Sequence, residues 1–404
     1  MRKIAAVWLF VLLCCYPGLS AETPARNLGA AGPAGDPPAI DGELNDACWQ
    51  SPACARLTHF VTPDMTRLAR PQTEALVCFD AAYLYIAVRC DEPKPSALAM
   101  EQTDRDARVW QDDCIEFFID TNHDHQTFHQ VVINPRGTVF DRESETGKDW
   151  DADIQVAADT GDDAWWVECA IPFADLGGAP ETGETWGFNV CRERRVQEEL
   201  STWAPTYGAF PQPERFGELV FTDLPAVPSL TMLREPMFGL NEISLSGPQG
   251  TAADVHIVHE WPAGTPAPWD YPPAVVQPVT RDGADAPNED NIQYTVQYRI
   301  VDGSEREVQI TQSLEEDTLL RQTVPVSIQP RPQIVDLVAS RLPALKRYAK
   351  NHTEFGAQIE ELVTATREKI DEIVQSNLTR DGLMAQKEWE QAVQQLSRAI
   401  DLPY

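Results

Sequence analysis

Positive charge is what this sequence has least of for its size. Its 63 acidic residues face only 32 lysines and arginines, giving a formal charge of −31 at neutral pH. Phosphate backbones are bound through Lys and Arg that displace counterions, so nucleic acid is excluded as a partner. Long apolar runs are equally scarce. The one present, residues 4–15, follows Arg2 and Lys3 and precedes a Pro-Gly break and small residues at Ser20-Ala21. It falls short of the ~20 residues that cross a bilayer. Its layout is that of a signal peptide over residues 1–21. The mature protein is therefore expected to be secreted, extracellular or periplasmic, with no transmembrane segment. Cysteine is absent after Cys191. Seven remain beyond the leader (Cys48, Cys54, Cys78, Cys90, Cys114, Cys169 and Cys191), an odd number with no pair spaced as zinc ligands are. Export permits disulfides, and Cys48 with Cys54 make the nearest local pair. Several others lie inside apolar strand patterns, as buried thiols do.

No long helical pattern interrupts the first half either. Residues 22–37 are rich in Ala, Gly and Pro and read as a flexible leader. From residue 38 to 225, short runs rich in β-formers, such as 75–79, 83–90, 154–158, 165–171, 186–194 and 216–221, are bounded by Asp, Gly and Pro. Many short strands without intervening helices predict an antiparallel β-sandwich. Residues 228–330 alternate apolar and polar side chains around a Pro-rich loop, and predict a second, immunoglobulin-like β-sandwich. From 331 to 404 the period becomes helical: Ile334, Leu337, Val338, Leu342 and Leu345 share one face, as do Trp389, Val393, Leu396 and Ile400. This α-helical region would present apolar faces to a second copy of the chain or to a partner protein. The fold class is thus mainly β with a helical C-terminal segment.

The most informative stretch is residues 109–137. Ile115, Phe117 and Ile119 alternate with Cys114, Glu116 and Phe118, so Glu116 sits mid-strand on the face opposite the aliphatic one. Trp110, Asp112 and Asp113 precede that strand, and a second run ends at Asn134 before the turn Pro135-Arg136-Gly137. An aromatic ring, an embedded carboxylate and an amide on one sheet suit polyhydroxylated ligands.

Around this stretch an ordered series of motifs resembles the family 9 carbohydrate-binding modules. It runs from Pro38-Ala39-Ile40-Asp41-Gly42 and Trp49 through Leu84-Tyr85-Ile86-Ala87, Trp110-Gln111-Asp112-Asp113 with Glu116, and Asn134-Pro135-Arg136-Gly137. It continues with Glu168-Cys169-Ala170-Ile171-Pro172, Trp186-Gly187-Phe188-Asn189, Trp203-Ala204-Pro205 and Arg215-Phe216-Gly217. The resemblance implies a non-catalytic β-sandwich that binds a polysaccharide or oligosaccharide, with calcium supporting its loops. It implies a sugar ring held between two tryptophans, with acidic, amide and arginine side chains bonding the hydroxyls. On this chain Trp110 and Glu116 match the first tryptophan and the acid, and Asn134 the amide. Trp203 is the candidate second tryptophan, and Arg192 or Arg194 the arginine. Val132 stands where the family places an arginine. The physics is that of a pyranose C–H face on indole, oriented by charged hydrogen bonds at its rim.

For calcium, Asp120, Asn122 and Asp124 place oxygen donors at alternate positions, although His125 stands where an EF-hand needs glycine. Asp149, Asp151 and Asp153 form a second such cluster, and hard oxygen donors favour calcium. Two competing functions are a glycoside hydrolase built on the strand-embedded Glu116 and Glu168, and a haem-binding electron-transfer domain using Met100 and His129.

Overall fold

Strands this short bury one apolar face each only by stacking sheet on sheet. The computed structural model of the protein describes residues 26–147, 150–195, 198–233, 239–259, 275–278, 292–300, 305–326 and 364. The described residues are mainly β. In chain order the strands are β1 (Leu28–Ala31), β2 (Ala55–Leu57), β3 (Thr73–Phe79), β4 (Tyr83–Asp91), β5 (Cys114–Asp120), β6 (His129–Ile133), β7 (Val139–Glu143), β8 (Gln155–Thr160) and β9 (Ala164–Pro172). They continue with β10 (Thr185–Arg194), β11 (Glu199–Thr202), β12 (Gly217–Phe221), β13 (Ser229–Leu233), β14 (Gly239–Gly247), β15 (Thr251–His259), β16 (Val275–Pro278), β17 (Ile292–Ile300), β18 (Glu305–Leu314) and β19 (Asp317–Pro325).

One sheet has the order β2-β3-β4-β9-β8, and the other runs β1-β12-β10-β5-β6-β7 with β11 beside β10. Between them lies a core that includes Val77, Ile86, Val88, Ile115, Phe117, Ile119, Val131, Ile133, Val167, Phe188 and Val190. This is the expected sandwich, and the alternation read for residues 115–119 holds. The segment read as a flexible leader does not. Residues 28–31 form β1, paired parallel with β12 (Leu28↔Glu218 to Ala31↔Phe221). Its Ala and Gly content reflects close packing: a Cβ at Gly29 would lie 2.8 Å from the Leu57 side chain.

Beyond residue 228, β13-β14-β17-β16 make a third sheet. Strands β15, β18 and β19 instead extend the first unit's larger sheet, through an antiparallel contact of β19 with β1 (Leu28↔Arg321). These two layers enclose a second core of Leu230, Ile243, Leu245, Val296, Val308, Ile310 and Val324, to which the first unit lends Val61, Met65 and Leu68. Polar contacts stitch the seam. Leu233 N donates to His59 Nε2 at 3.0 Å, and Thr323 N donates to Asn27 Oδ1 at 3.0 Å. Burial holds the His59 ring down to about 4, so it stays neutral and free to accept.

The seven described cysteines are all buried free thiols. Cys48 and Cys54, the nearest local pair, are both free, and the Cys78 thiol interacts with each. Among the described residues no helix is long and apolar enough to cross a membrane. The signal peptide read over 1–21 lies outside the described residues, as does the helical region read over 331–404 apart from Thr364.

Candidate functional site

The outer face of the larger sheet carries a line of polar side chains. Glu116 points outward from β5, with Cys191 of β10 and Val132 of β6 as its cross-strand neighbours. Gln130 Nε2 on β6 donates to Glu116 Oε2 at 2.7 Å, and Arg142 Nε on β7 donates to Gln130 Oε1 at 2.5 Å. On the other side the Glu193 carboxyl is in hydrogen-bonding contact with Glu116, and Arg195 pairs with Glu193. Arg142, Gln130, Glu116, Glu193 and Arg195 therefore form one row across four strands.

Two apolar clusters bracket the row. At the Cys114 end are Val109, Cys114, Val132 and Phe140, with Trp110 packed against them. At the Phe118 end are Phe118, Phe128, Phe210 and Phe216 around Cys191. Low-dielectric walls of this kind strengthen every charge between them. Burial first, and the Glu193 charge second, push the Glu116 carboxyl up to about 8. Glu116 therefore keeps its proton at neutral pH beside Glu193, itself raised by burial and partly restored by Arg195. Acid, amide, carboxylate and guanidinium groups thus alternate as donors and acceptors.

Trp110 lies in a 3₁₀ turn, Val109–Gln111, just before β5. It is half-buried and meets Phe140 edge-on, with ring centres 4.8 Å apart at 74°. The two following aspartates fix that turn. Asp113 Oδ2 accepts from Ala99 N at 2.8 Å, and Asp112 Oδ2 accepts from Gln102 N at 2.8 Å.

Residues 40–224 match the family described as carbohydrate family 9 binding domain-like. Those residues form a family 9-like domain. Among solved structures, the chain is similar to a Bacteroides uniformis protein provisionally described as carbohydrate-binding. That match has 15% identity and a TM-score of 0.40, and covers 49% of this chain and 100% of that one. No curated protein matches.

Within the family 9-like domain, the structure separates the predicted site residues. Trp110 and Glu116 share the outer face, where Trp110 is half-buried and Glu116 is buried at 4% exposure. Asn134 does not present its amide to solvent: it is fully buried, donates to Asp112 Oδ2 at 2.9 Å and Gln102 O at 3.0 Å, and accepts from Arg136 N and Thr138 N. That exhausts its hydrogen-bonding capacity on the 134–138 turn. Arg192 and Arg194 point into the sandwich, one strand phase away from Glu116. Arg194 holds Glu92 through two bonds of 2.9 and 3.0 Å, and Arg192 reaches Glu92 at 3.4 Å and Asp91 O at 2.9 Å. Trp203 is 1% exposed, covered by β19, and its Nε1 donates to Gln322 Oε1 at 3.0 Å. It is a seam residue with no open ring face. A Cβ at Gly217 would come within 2.5 Å of its ring, so glycine is required beneath it.

Val132 lacks the arginine expected at its position, but Arg142 supplies a guanidinium one strand further out, through Gln130. Sequence reasoning missed Gln130, Arg142, Glu193 and Arg195.

The expected calcium loop is closed by its own hydrogen bonds. Asp120 Oδ1 and Oδ2 accept from Asp124 N and His125 N, Asn122 Oδ1 accepts from Asp124 N, and Asp124 Oδ1 accepts from Gln126 N and Thr127 N. These oxygens thus accept from the turn's own amides. His123 and His125 contact each other at φ +53° and +59°, and Arg26 donates to the His125 ring. Asp151 pairs with Arg105 at 2.8 Å, and Asp149 lies outside the described residues. Among the described residues no group of three or more His, Cys, Asp or Glu is arranged to hold a metal ion. For haem, His129 packs on Trp150 with ring centres 4.5 Å apart and faces Glu143 at 3.8 Å.

Proposed function

We propose that the chain is an exported, non-catalytic carbohydrate-binding protein that engages a sugar on the outer face of its larger sheet. The ring lies against Trp110, and the row Arg142, Gln130, Glu116, Glu193 and Arg195 bonds its hydroxyls. The observation that carries this reading is the row itself. A protonated acid beside a carboxylate, an amide and two guanidinium groups offers both donors and acceptors, as vicinal hydroxyls require. The family 9-like assignment of residues 40–224 supports the ligand class. Export rests on the pattern of residues 1–21. The paired sheets after residue 228 are read as an immunoglobulin-like accessory domain, and residues 331–404 as helices offering a surface to a second copy or a partner protein.

The glycoside hydrolase reading is weaker on geometry. Glycosidase carboxyl pairs stand roughly 5–9.5 Å apart to admit substrate or water, whereas Glu116 and Glu193 are in hydrogen-bonding contact. Glu168 is on the other sheet, where it accepts from Trp49 Nε1 at 2.8 Å and Gly42 N at 3.0 Å. Saturation-transfer NMR with cellobiose, xylobiose, maltose and lactose tests the proposal. Transfer from at least one of them, reduced in Trp110→Ala, is expected. Silence towards all four, or hydrolysis of any that Glu116→Gln abolishes, contradicts it.

A further inference from the structure

A second cleft opens on the seam where the family 9-like domain meets β18 and β19. Met65 and Ala204 line it together with Arg26, Tyr207, Arg215, Glu307 and Thr323. Three features set it apart from an ordinary crevice.

Tyr207 is 47% exposed, one of two large apolar side chains so exposed among the described residues. It is held there at a cost. Its φ of +56° is in the left-handed region, which L side chains avoid, and its N–H is pinned to Pro63 O at 2.6 Å. Strain in an exposed aromatic is the kind retained where a ring must be displayed. The Arg215 guanidinium sits 5.0 Å from the ring centre and braces the ring from one side.

The second feature is an orphan. Thr323 N donates to Asn27, but Thr323 Oγ1 is buried and has no hydrogen-bond partner among the described residues. A buried hydroxyl without a partner is costly, and such groups mark sites where something else completes the bond.

The third is charge. The whole chain carries −31, yet Arg26 and Arg215 balance Glu214 and Glu307 around this opening. A locally neutral, mixed donor–acceptor rim disfavours phosphates and polyamines alike. It fits a neutral ligand rich in hydroxyls with an apolar face for Tyr207.

We infer that this cleft is a second carbohydrate subsite, with Tyr207 as the stacking platform and Thr323 Oγ1, Glu307 and Arg215 bonding the hydroxyls. It shares its ligand class with the sheet-face reading but not its residues, and stands or falls separately. Because β18 and β19 supply two of its walls, it exists only where both units are present.

The same four disaccharides, observed by saturation-transfer NMR on the full chain, test it. In Trp110→Ala, transfer from one disaccharide persists, and adding Tyr207→Ala removes it. Thr323→Val, nearly isosteric, weakens that residual binding about tenfold with the melting temperature within a degree or two of the parent. A Trp110→Ala chain silent to all four, against a responsive wild type, overturns the cleft and leaves the sheet face standing. Undiminished transfer in Trp110→Ala that Tyr207→Ala alone abolishes does the reverse. A wild type silent to all four overturns both.

Discussion

A carboxyl group as enclosed as Glu116, next to Glu193, titrates far from its solution range. Its ordinary value is 4.5 and burial with the Glu193 charge lifts it to about 8 in the folded chain. Between those two pH values the native state holds more protons than the unfolded one, so this group's contribution to stability falls as pH rises through the window. Glu116→Gln keeps the shape and a donor but removes the titration. Thermal unfolding of the variant is therefore expected to gain on wild type between pH 5 and pH 9, and parallel curves would show that Glu116 is not the titrating group. At Trp203 the expectation is different in kind. Trp203→Ala should cost about 3–5 kcal/mol of stability, the range for emptying a large buried site. Equilibrium denaturation reads this, and a small loss accompanied by weakened sugar binding would contradict the buried placement. Both residues test how far the chain can be read without its fold. Glu116's outward direction follows from counting by twos. The same count from Phe188 and Val190 puts Arg192 and Arg194 inward and Glu193 outward. Trp203 offered no such signal, because its cover comes from Gln322, more than a hundred residues later.

Glu92, just past β4, reaches across the sandwich to Arg192 and Arg194 on β10, and so clamps one sheet to the other. All three side chains are 7% exposed or less. Burial pushes the Glu92 carboxyl up, but the Arg194 bonds and the Lys94 amide outweigh it and leave it below the ordinary range. Glu92→Gln removes the buried carboxylate that both guanidinium groups share, leaving Arg194 with Glu199 at 3.7 Å and Arg192 with Asp91 O at 2.9 Å. A loss of about 3–5 kcal/mol is expected, seen as a lowered denaturation midpoint, and an unchanged midpoint would mean the clamp is dispensable. The 120–127 loop makes the opposite prediction. Its carboxylates are occupied by backbone amides, so chelation with EDTA should leave the melting temperature unchanged, and a drop restored by calcium would refute that reading. Alternate acids in a turn look the same in sequence whether they bind an ion or cap their own loop. The strands were legible from their period, whereas β1 was not. Leu-Gly-Ala-Ala carries the composition of a linker, and only the close approach of Leu57 explains it.

At the scale of the molecule, one sheet crosses from the family 9-like domain into the strands that follow it. β1 lies between β12 and β19, so the boundary near residue 225, clear in the sequence as a change of pattern, is not a boundary in the hydrogen-bonded sheet. Asn27 Nδ2 also donates to Trp203 O at 2.6 Å, while Trp203 reaches Gln322. Removing the second unit would expose that tryptophan and the apolar seam around it. Function should accordingly be measured on the full chain. Isothermal titration with the disaccharide giving the strongest NMR response is the most direct test of the sheet-face site. Trp110→Ala is expected to weaken its tighter binding phase more than about tenfold, as a stacking contribution of ~1.4 kcal/mol requires, with the melting temperature preserved. Unaltered affinity in Trp110→Ala, with sugar still bound, would contradict the claim that the Trp110 face holds the sugar.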